Sequence, residues 1–311
     1  MNNIATLTMN PAIDVNTSVD NVAAERKLRC SDPSREPGGG GINVSRAIRI
    51  LGGESIALYT CGGLTGQMYQ KLLNNEGLNH KPIPIKGGTR ENIIVFEESS
   101  ALQYRLCMPG PILTNDELKV SLSHLSSLDP KPDFVVVSGS LTPSAPKNFY
   151  AQVARVAKQL GSKVIVDTQG DPFRLALEEG LFLVKPNIRE LSQLDDHAID
   201  DEKQIEDMAK KIVRHKWSEV VVVSLGAAGA LLVTVDKCQY VRPPAVPTIS
   251  KVGAGDSMVA GIVLKLAQGK TIQDAVCFGV AAGTAAVMTP GTELCRREDT
   301  ERLFDEMKRN H

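Results

Sequence analysis

The chain has 311 residues, with 35 Lys and Arg against 36 Asp and Glu, for a formal net charge of −1. That length suits one large α/β domain or two smaller ones, and 42% hydrophobic content supports a sizeable core, built from Val, Ile, Leu and Ala because aromatics reach only 4%. The near-neutral balance, with no basic stripe, argues against a nucleic-acid protein.

Six cysteines stand singly at 30, 61, 107, 238, 277 and 295. They show no Cys-x-x-Cys and no Cys/His ligand spacing, which argues against zinc and for free thiols in a reducing cytosol. No signal peptide precedes Ile4 and no apolar run reaches membrane length, so a cytoplasmic protein without a membrane partner is expected.

In chain order, the short apolar run 4–9 predicts a buried strand, and 15–37 is polar with no long helical period. After four glycines, Ile42, Val44, Ala47, Ile48 and Leu51 recur at helical spacing and stop at Gly52-Gly53. Residues 55–61 predict a strand, and 66–76 a helix capped by Gly77. Segments 92–96 and 102–107 flank a polar tip and predict a hairpin. From Asp133 the pattern becomes regular. Apolar runs 134–138, 164–167, 182–184 and 220–224 alternate with helical segments 147–160, 171–179, 187–194 and 201–216. That alternation predicts an α/β fold whose mainly parallel sheet is covered on both faces. Helices over 256–268, 271–288 and 297–309 complete the chain. The two polar segments, about 15–36 and 90–107, predict a small β lid projecting from the single domain 1–311.

Chemistry concentrates at Val252-Gly253-Ala254-Gly255-Asp256-Ser257. Two glycines permit a tight turn into a helix whose first N–H groups lack intrahelical partners and carry partial positive charge. The result is an anion hole with one carboxylate at its rim, the pairing needed to move a phosphoryl group onto a hydroxyl. Two nucleotide motifs are incomplete. Gly269-Lys270-Thr271 ends like a P-loop, but the earlier Gly falls on Leu264, so it reads as a helix stop. Gly253 and Gly255 begin like a dinucleotide fingerprint, but Met258 takes the third Gly position.

Other motifs admit plainer readings. Pro37-Gly38-Gly39-Gly40-Gly41-Ile42-Asn43 is costly in chain entropy, which close approach to a ligand explains better than a bare turn. Asn43 serves as a helix cap, a ligand contact, or both. Asn187 and Glu190 have capping-box spacing, which spacing alone favours over a place for Glu190 beside magnesium. Ser224-Leu225-Gly226-Ala227-Ala228-Gly229 reads as a hairpin turn, Ser138-Gly139-Ser140 as a polar turn, and Asp14 as a turn or cap residue. Lys27, Arg29, Arg90 and Arg105 are singly solvated cations; together they suit a phosphorylated substrate.

In combination, the glycine signature at 38–43, the Asn-x-x-Glu at 187–190 and the Gly-Ala-Gly-Asp at 253–256 resemble, in order and spacing, the PfkB (ribokinase-like) family of sugar kinases from end to end. Strings such as Lys27-Leu28-Arg29-Cys30, Met108-Pro109-Gly110 and Val223-Ser224-Leu225-Gly226 are most similar to its bacterial type-2 6-phosphofructokinase branch. Tagatose-6-phosphate kinases and 1-phosphofructokinases are near relatives that commonly carry Lys where this chain has Gly40. The resemblance implies a ribokinase-like fold with a β lid that often pairs two subunits as a homodimer. It implies ATP and Mg2+, with fructose 6-phosphate as acceptor. Asp256 matches the catalytic base, and Gly253, Ala254 and Gly255 its anion hole. Asp14, Gly39 and Asn43 match sugar contacts, and Lys27, Arg90, Arg105, Ser138 and Ser140 the surroundings of the sugar phosphate. Lys185, Asn187, Ser224, Gly226, Gly229 and Gly283 match the nucleotide side, with Glu190 near Mg2+ through water. Ser250, Val252, Ala286 and Gly291 match a K+ site. The chain departs from the family at Lys251, where Thr is usual, and at Glu293, where the type-2 branch has Arg. Lys251 would add positive charge there and weaken the need for K+. A tagatose-6-phosphate kinase, a 1-phosphofructokinase, or a non-catalytic phosphosugar-binding regulator are the alternatives, the last opposed by the intact Asp256 and Glu190.

Overall fold

The computed structural model describes residues 3–194 and 201–309. In chain order it contains β1 (Ile4–Thr8), β2 (Ala12–Val19), β3 (Ser34–Gly38), α1 (Gly40–Ile50), β4 (Ile56–Cys61), α2 (Gly63–Asn75), β5 (His80–Pro84), β6 (Arg90–Glu97), β7 (Leu102–Cys107) and α3 (Asn115–Ser126). These are followed by β8 (Phe134–Ser138), α4 (Phe149–Gln159), β9 (Lys163–Asp167), α5 (Asp171–Leu177), β10 (Leu181–Val184), α6 (Ile188–Ser192), α7 (Glu202–Arg214) and β11 (Ser218–Ser224). The chain then runs through β12 (Ala230–Val233), β13 (Cys238–Val241), α8 (Ala254–Ala267), α9 (Ile272–Val287) and α10 (Arg297–Arg309).

The large sheet has nine strands in the order β13-β12-β11-β10-β9-β8-β1-β4-β5. Pairing is parallel from β11 through to β5, and antiparallel where β12 and β13 close one edge. Period-two alternation splits its side chains between two layers. Val136, Ile165, Leu183 and Val222 pack with the α8 and α9 residues Val259, Ile262 and Val280. Val135, Val137, Val166 and Val223 pack on the opposite face with Val153 of α4 and Ile212 of α7. Burial on both faces is why these strands read as continuous apolar runs rather than alternating ones.

A second sheet, β3-β2-β6-β7, is formed by the two polar segments, with β2 and β6 paired in parallel. The expected hairpin is β6–β7, in register Asn92↔Cys107 through Glu97↔Leu102. The segment read as irregular contributes β2 and β3, while 20–33 runs outside any strand. Three elements were not legible in the pattern. The strand β5 carries Pro82 and Pro84 and lies at the sheet edge, where missing N–H donors are tolerated. The helix α3 is rich in serine, and its signal is the Thr114/Glu117 capping box rather than an apolar stripe. The strand β13 has only one buried residue, Val241. Gly269 follows α8 with φ 74°, and the Thr271 side chain caps α9, so Gly269-Lys270-Thr271 is the helix stop and restart expected.

Candidate active site

The carboxyl ends of the parallel strands β1, β8, β9, β10 and β11 lead to Thr8, Ser138, Asp167, Lys185 and Ser224, the end of an open α/β sheet at which ligands bind. The N-terminus of α8 points into the same region. Gly253 precedes it with φ 74°, a left-handed conformation that favours glycine, and a Cβ there would lie 2.6 Å from Leu294 Cδ2. The first intrahelical bond runs from Ser257 N–H to the Gly253 carbonyl, 2.8 Å, so the N–H groups of Ala254, Gly255 and Asp256 have no helical acceptor.

Asp256 lies in that first turn, and its Oδ2 accepts a hydrogen bond of 2.9 Å from Asn43 Nδ2. Burial, reinforced by the Asp167 carboxylate, pushes its carboxyl up to about 7, against the opposing pull of Asn43, Lys185 and Arg105. Asn43 is not a helix cap. The residue preceding α1 is Gly39, which makes no side-chain cap, and Asn43 lies inside the helix with its side chain turned to Asp256.

On one side of Asp256 lies a polar cluster at the root of the small sheet. Asp14 sits within β2, not in a turn or cap, and Asn92 donates to it across the β2–β6 pair at 2.8 Å. Burial raises the Asp14 carboxyl, while Asn92, Arg105 and Arg90 moderate the rise. The Arg90 guanidinium donates to the Met108 and Asn10 carbonyls at 2.8 and 3.0 Å. Ser140 Oγ accepts from Asn10 Nδ2 at 3.3 Å, and Ser138 is buried against the backbone of Gly40. Thr8 Oγ1, Asn10 Oδ1 and Arg90 Nε are buried here without a partner, an orphaned set that a polyhydroxylated, phosphorylated ligand would satisfy. Lys27 and Arg29 stand apart, exposed in the 20–33 connection.

On the other side is a cavity of about 640 Å³, lined by Asn187, Ser224, Gly226, Gly229, Gly283 and Lys251 among others, and reaching Ala254 and Gly255. The Asn187–Glu190 pair forms the capping box its spacing predicted. Asn187 Oδ1 accepts the Glu190 N–H at 2.8 Å, and Glu190 Oε2 accepts the Asn187 N–H at 2.9 Å. Gly226 and Gly229 take φ 61° and 89° in the turn between β11 and β12, as a hairpin requires. Lys185 is buried, with its Nζ 3.1 Å from Asp167 Oδ1. Burial alone would lower its ammonium, but Asp167, Glu190 and Asp256 outweigh it and hold it above the ordinary value. Burial, with Asp167 adding to it, raises the Glu190 carboxyl against the Asn187 N–H and Lys185. Of the four candidate cation-site residues, Ser250, Val252 and Gly291 are joined by hydrogen bonds, while the Ala286 carbonyl accepts from Thr289 Oγ1 at 2.7 Å. Ser250 Oγ donates to the Gly291 carbonyl at 2.7 Å and accepts the Val252 N–H at 3.2 Å, and the Ser250 N–H reaches the carbonyl of Val287, next to Ala286.

Asp167, Asn10, Asn92 and Thr8 lie in the candidate site but were missed. Asp167 had a signal, a carboxylate closing the apolar run 164–167 at the end of a parallel strand. The other three had none, because only tertiary packing brings them together.

The pfkB family of carbohydrate kinases matches residues 5–299. The chain belongs to this family. ATP-dependent 6-phosphofructokinase isozyme 2 of Escherichia coli (strain K12) is 40% identical over 98% of this chain and 99% of its own. The solved structure of Escherichia coli phosphofructokinase-2 in complex with potassium matches with a TM-score of 0.95 at 40% identity, covering 99% of this chain and 100% of that one. Its complex with fructose 6-phosphate matches at 0.93, with 39% identity and the same coverage. The 1-phosphofructokinase of Bacillus subtilis (strain 168) is 32% identical over 98% of each chain. Arabidopsis thaliana ribokinase, with a TM-score of 0.76 at 20% identity over 97% of this chain and 98% of that one, shares the fold, which is ribokinase-like. The family assignment agrees with a carboxylate at a helix N-terminus, set between a buried polar cluster and a separate cavity.

Proposed function

We propose that this chain transfers the γ-phosphoryl group of ATP to fructose 6-phosphate, giving fructose 1,6-bisphosphate and ADP. The observation that carries this reading is the position of Asp256: at the rim of the α8 anion hole, held by Asn43, with the orphaned polar cluster on one side and the cavity on the other. Asp256 takes the proton of the acceptor's primary hydroxyl as that oxygen attacks the γ-phosphorus and the bond to the β-phosphate oxygen breaks. The N–H groups of Ala254, Gly255 and Asp256 stabilise charge on the transferring group; loss of one such donor typically costs about 10²–10³ in rate. Arg90, Arg105, Ser138, Ser140 and Asn10 hold the sugar phosphate, and Asp14, Gly39 and Asn43 the sugar. Lys27 is exposed in the 20–33 connection and makes no hydrogen bond or ion pair with any described residue.

Glu190 would hold magnesium through water. Glu190, Asp167 and Asp256 all act on the single Lys185 ammonium, a carboxylate excess that would suit a hydrated hard cation. Bound there, magnesium would neutralise phosphate charge. The converging oxygens around Ser250 and Gly291 suit potassium.

We read the small sheet, about residues 15–36 and 90–107, as a lid on the single domain 1–311, excluding water from the transfer. We further propose a homodimer formed through it. Ile93, Leu102, Tyr104 and Leu106 share its outer face and are 37%, 57%, 39% and 51% exposed. Six free cysteines suit a cytoplasmic enzyme.

The test is a panel of fructose 6-phosphate, tagatose 6-phosphate and fructose 1-phosphate with ATP, scored by kcat/KM from ADP release. Highest kcat/KM on fructose 6-phosphate supports the reading. Preference for another member moves the acceptor, and no ADP release with any of them favours a non-catalytic binder.

A further inference from the structure

We propose that Lys251 binds the phosphates of the nucleotide, supplying the fixed positive charge of its cavity. This rests on reading that cavity as the nucleotide site. Among its lining residues Lys251 is the one charged side chain, the rest being apolar, glycine, proline or neutral polar. An ATP placed there brings several negative charges into a lining that offers no other cationic side chain. The Lys185 ammonium beside Gly255, 3.4 Å from where a Cβ there would stand, is outside the cavity lining and already shared with Asp167 at 3.1 Å, so Lys251 adds a charge that is not yet paired. Glu293 does not neutralise Lys251 either, since it pairs with Arg296 at 2.9 Å. Lys251 is exposed and makes no hydrogen bond or ion pair with any described residue, so its charge is free for a ligand.

The chain fixes where that charge acts. Lys251 lies between Ser250, tied to the Gly291 carbonyl at 2.7 Å, and Val252, whose N–H is bound to Ser250 Oγ at 3.2 Å. Its backbone is therefore anchored just ahead of the Gly253–Gly255 turn. From there the flexible four-carbon stem carries a compact ammonium toward phosphates seated at the α8 N-terminus. A neutral base or ribose gives that charge little to bind, so the phosphates are its partner.

The test is calorimetric titration of the full chain with ATP and, separately, adenosine, in magnesium chloride without sugar, for the wild type, Lys251→Thr and Lys251→Arg. Lys251→Thr should weaken ATP binding about 5- to 20-fold, as for one charge-assisted contact open to solvent. Adenosine binding should stay unchanged, Lys251→Arg should stay within about threefold of wild type, and the gap should narrow with added salt. Equal ATP affinity in wild type and Lys251→Thr would overturn the proposal, as would an equal fall for adenosine, which marks a structural effect. A wild type that binds ATP but phosphorylates no phosphosugar sinks the acceptor reading alone. A wild type that does not bind ATP sinks both.

Discussion

At the residue scale, the proposed chemistry turns on Asp256 and on the buried charges behind it. A carboxyl held near pH 7 accepts a proton only when ionised, so kcat/KM should climb through about pH 7 to a plateau on the alkaline side. Asp256→Asn should lose about 10²- to 10⁴-fold in turnover with substrate binding retained. The same shift has a stability consequence of definite sign. The folded chain binds the Asp256 proton more tightly than the unfolded chain, whose value is near 3.8, so this contribution is full below pH 3.8 and is lost as pH rises through about 7. Asp256→Asn should therefore be more stable than wild type at pH 8, by about 1–4 kcal/mol, with the gap closing toward pH 5; urea titrations at the two pH values measure it. Lys185 is the opposite case, a buried cation whose removal leaves Asp167 unpaired. Lys185→Met should cost about 3–5 kcal/mol, read as a fall in melting temperature on the order of 10 °C, and adding Asp167→Asn should recover part of it. Asp256 was legible because glycines frame it in the sequence. Lys185 was found through its motif, but its ion pair with Asp167 was not, because the two residues end different strands.

At the element scale, the helices with strong periodicity appeared where expected, and the failures have common causes. An edge strand tolerates proline, and a serine-rich helix can rest on its cap, so the apolar pattern marks neither. The small sheet was legible as two polar segments. Its strand order was not, since β2 and β6 pair in parallel although residues 20–89 lie between them. The outer face of that sheet carries the assembly prediction. Leu106→Asp places a charge among Ile93, Tyr104 and Leu102, and a face that joins two subunits should not tolerate it. Light scattering after size exclusion should show a dimer for the wild type and a monomer for the variant.

At the scale of the whole molecule, the loop after α9 ties the cation-site region to the small sheet. Thr292 Oγ1 donates to Glu36 Oε2 at 2.8 Å and accepts from Asn16 Nδ2 at 3.2 Å. Arg46 of α1 extends the tie, binding the Pro37 carbonyl at 3.1 Å and Glu76 of the α2 C-cap at 2.7 Å. Thr292→Val breaks the link without emptying either ligand site. It should raise KM for the sugar about 3- to 10-fold while leaving ATP affinity, measured by titration, unchanged, because in the proposed arrangement the sheet frames the acceptor and not the nucleotide. The sequence by itself determined the fold class, the anion hole and its carboxylate, and the glycine turns. Each is encoded in residues close along the chain, where local sterics and hydrophobic period act directly. Only the tertiary structure decided that Asn43 turns to Asp256 instead of capping α1, that Asp167 pairs with Lys185, and that Lys251 is the one charged residue lining the cavity beside α8. Those outcomes depend on which strand ends and helix termini become neighbours, and burial then sets what each polar group must find there.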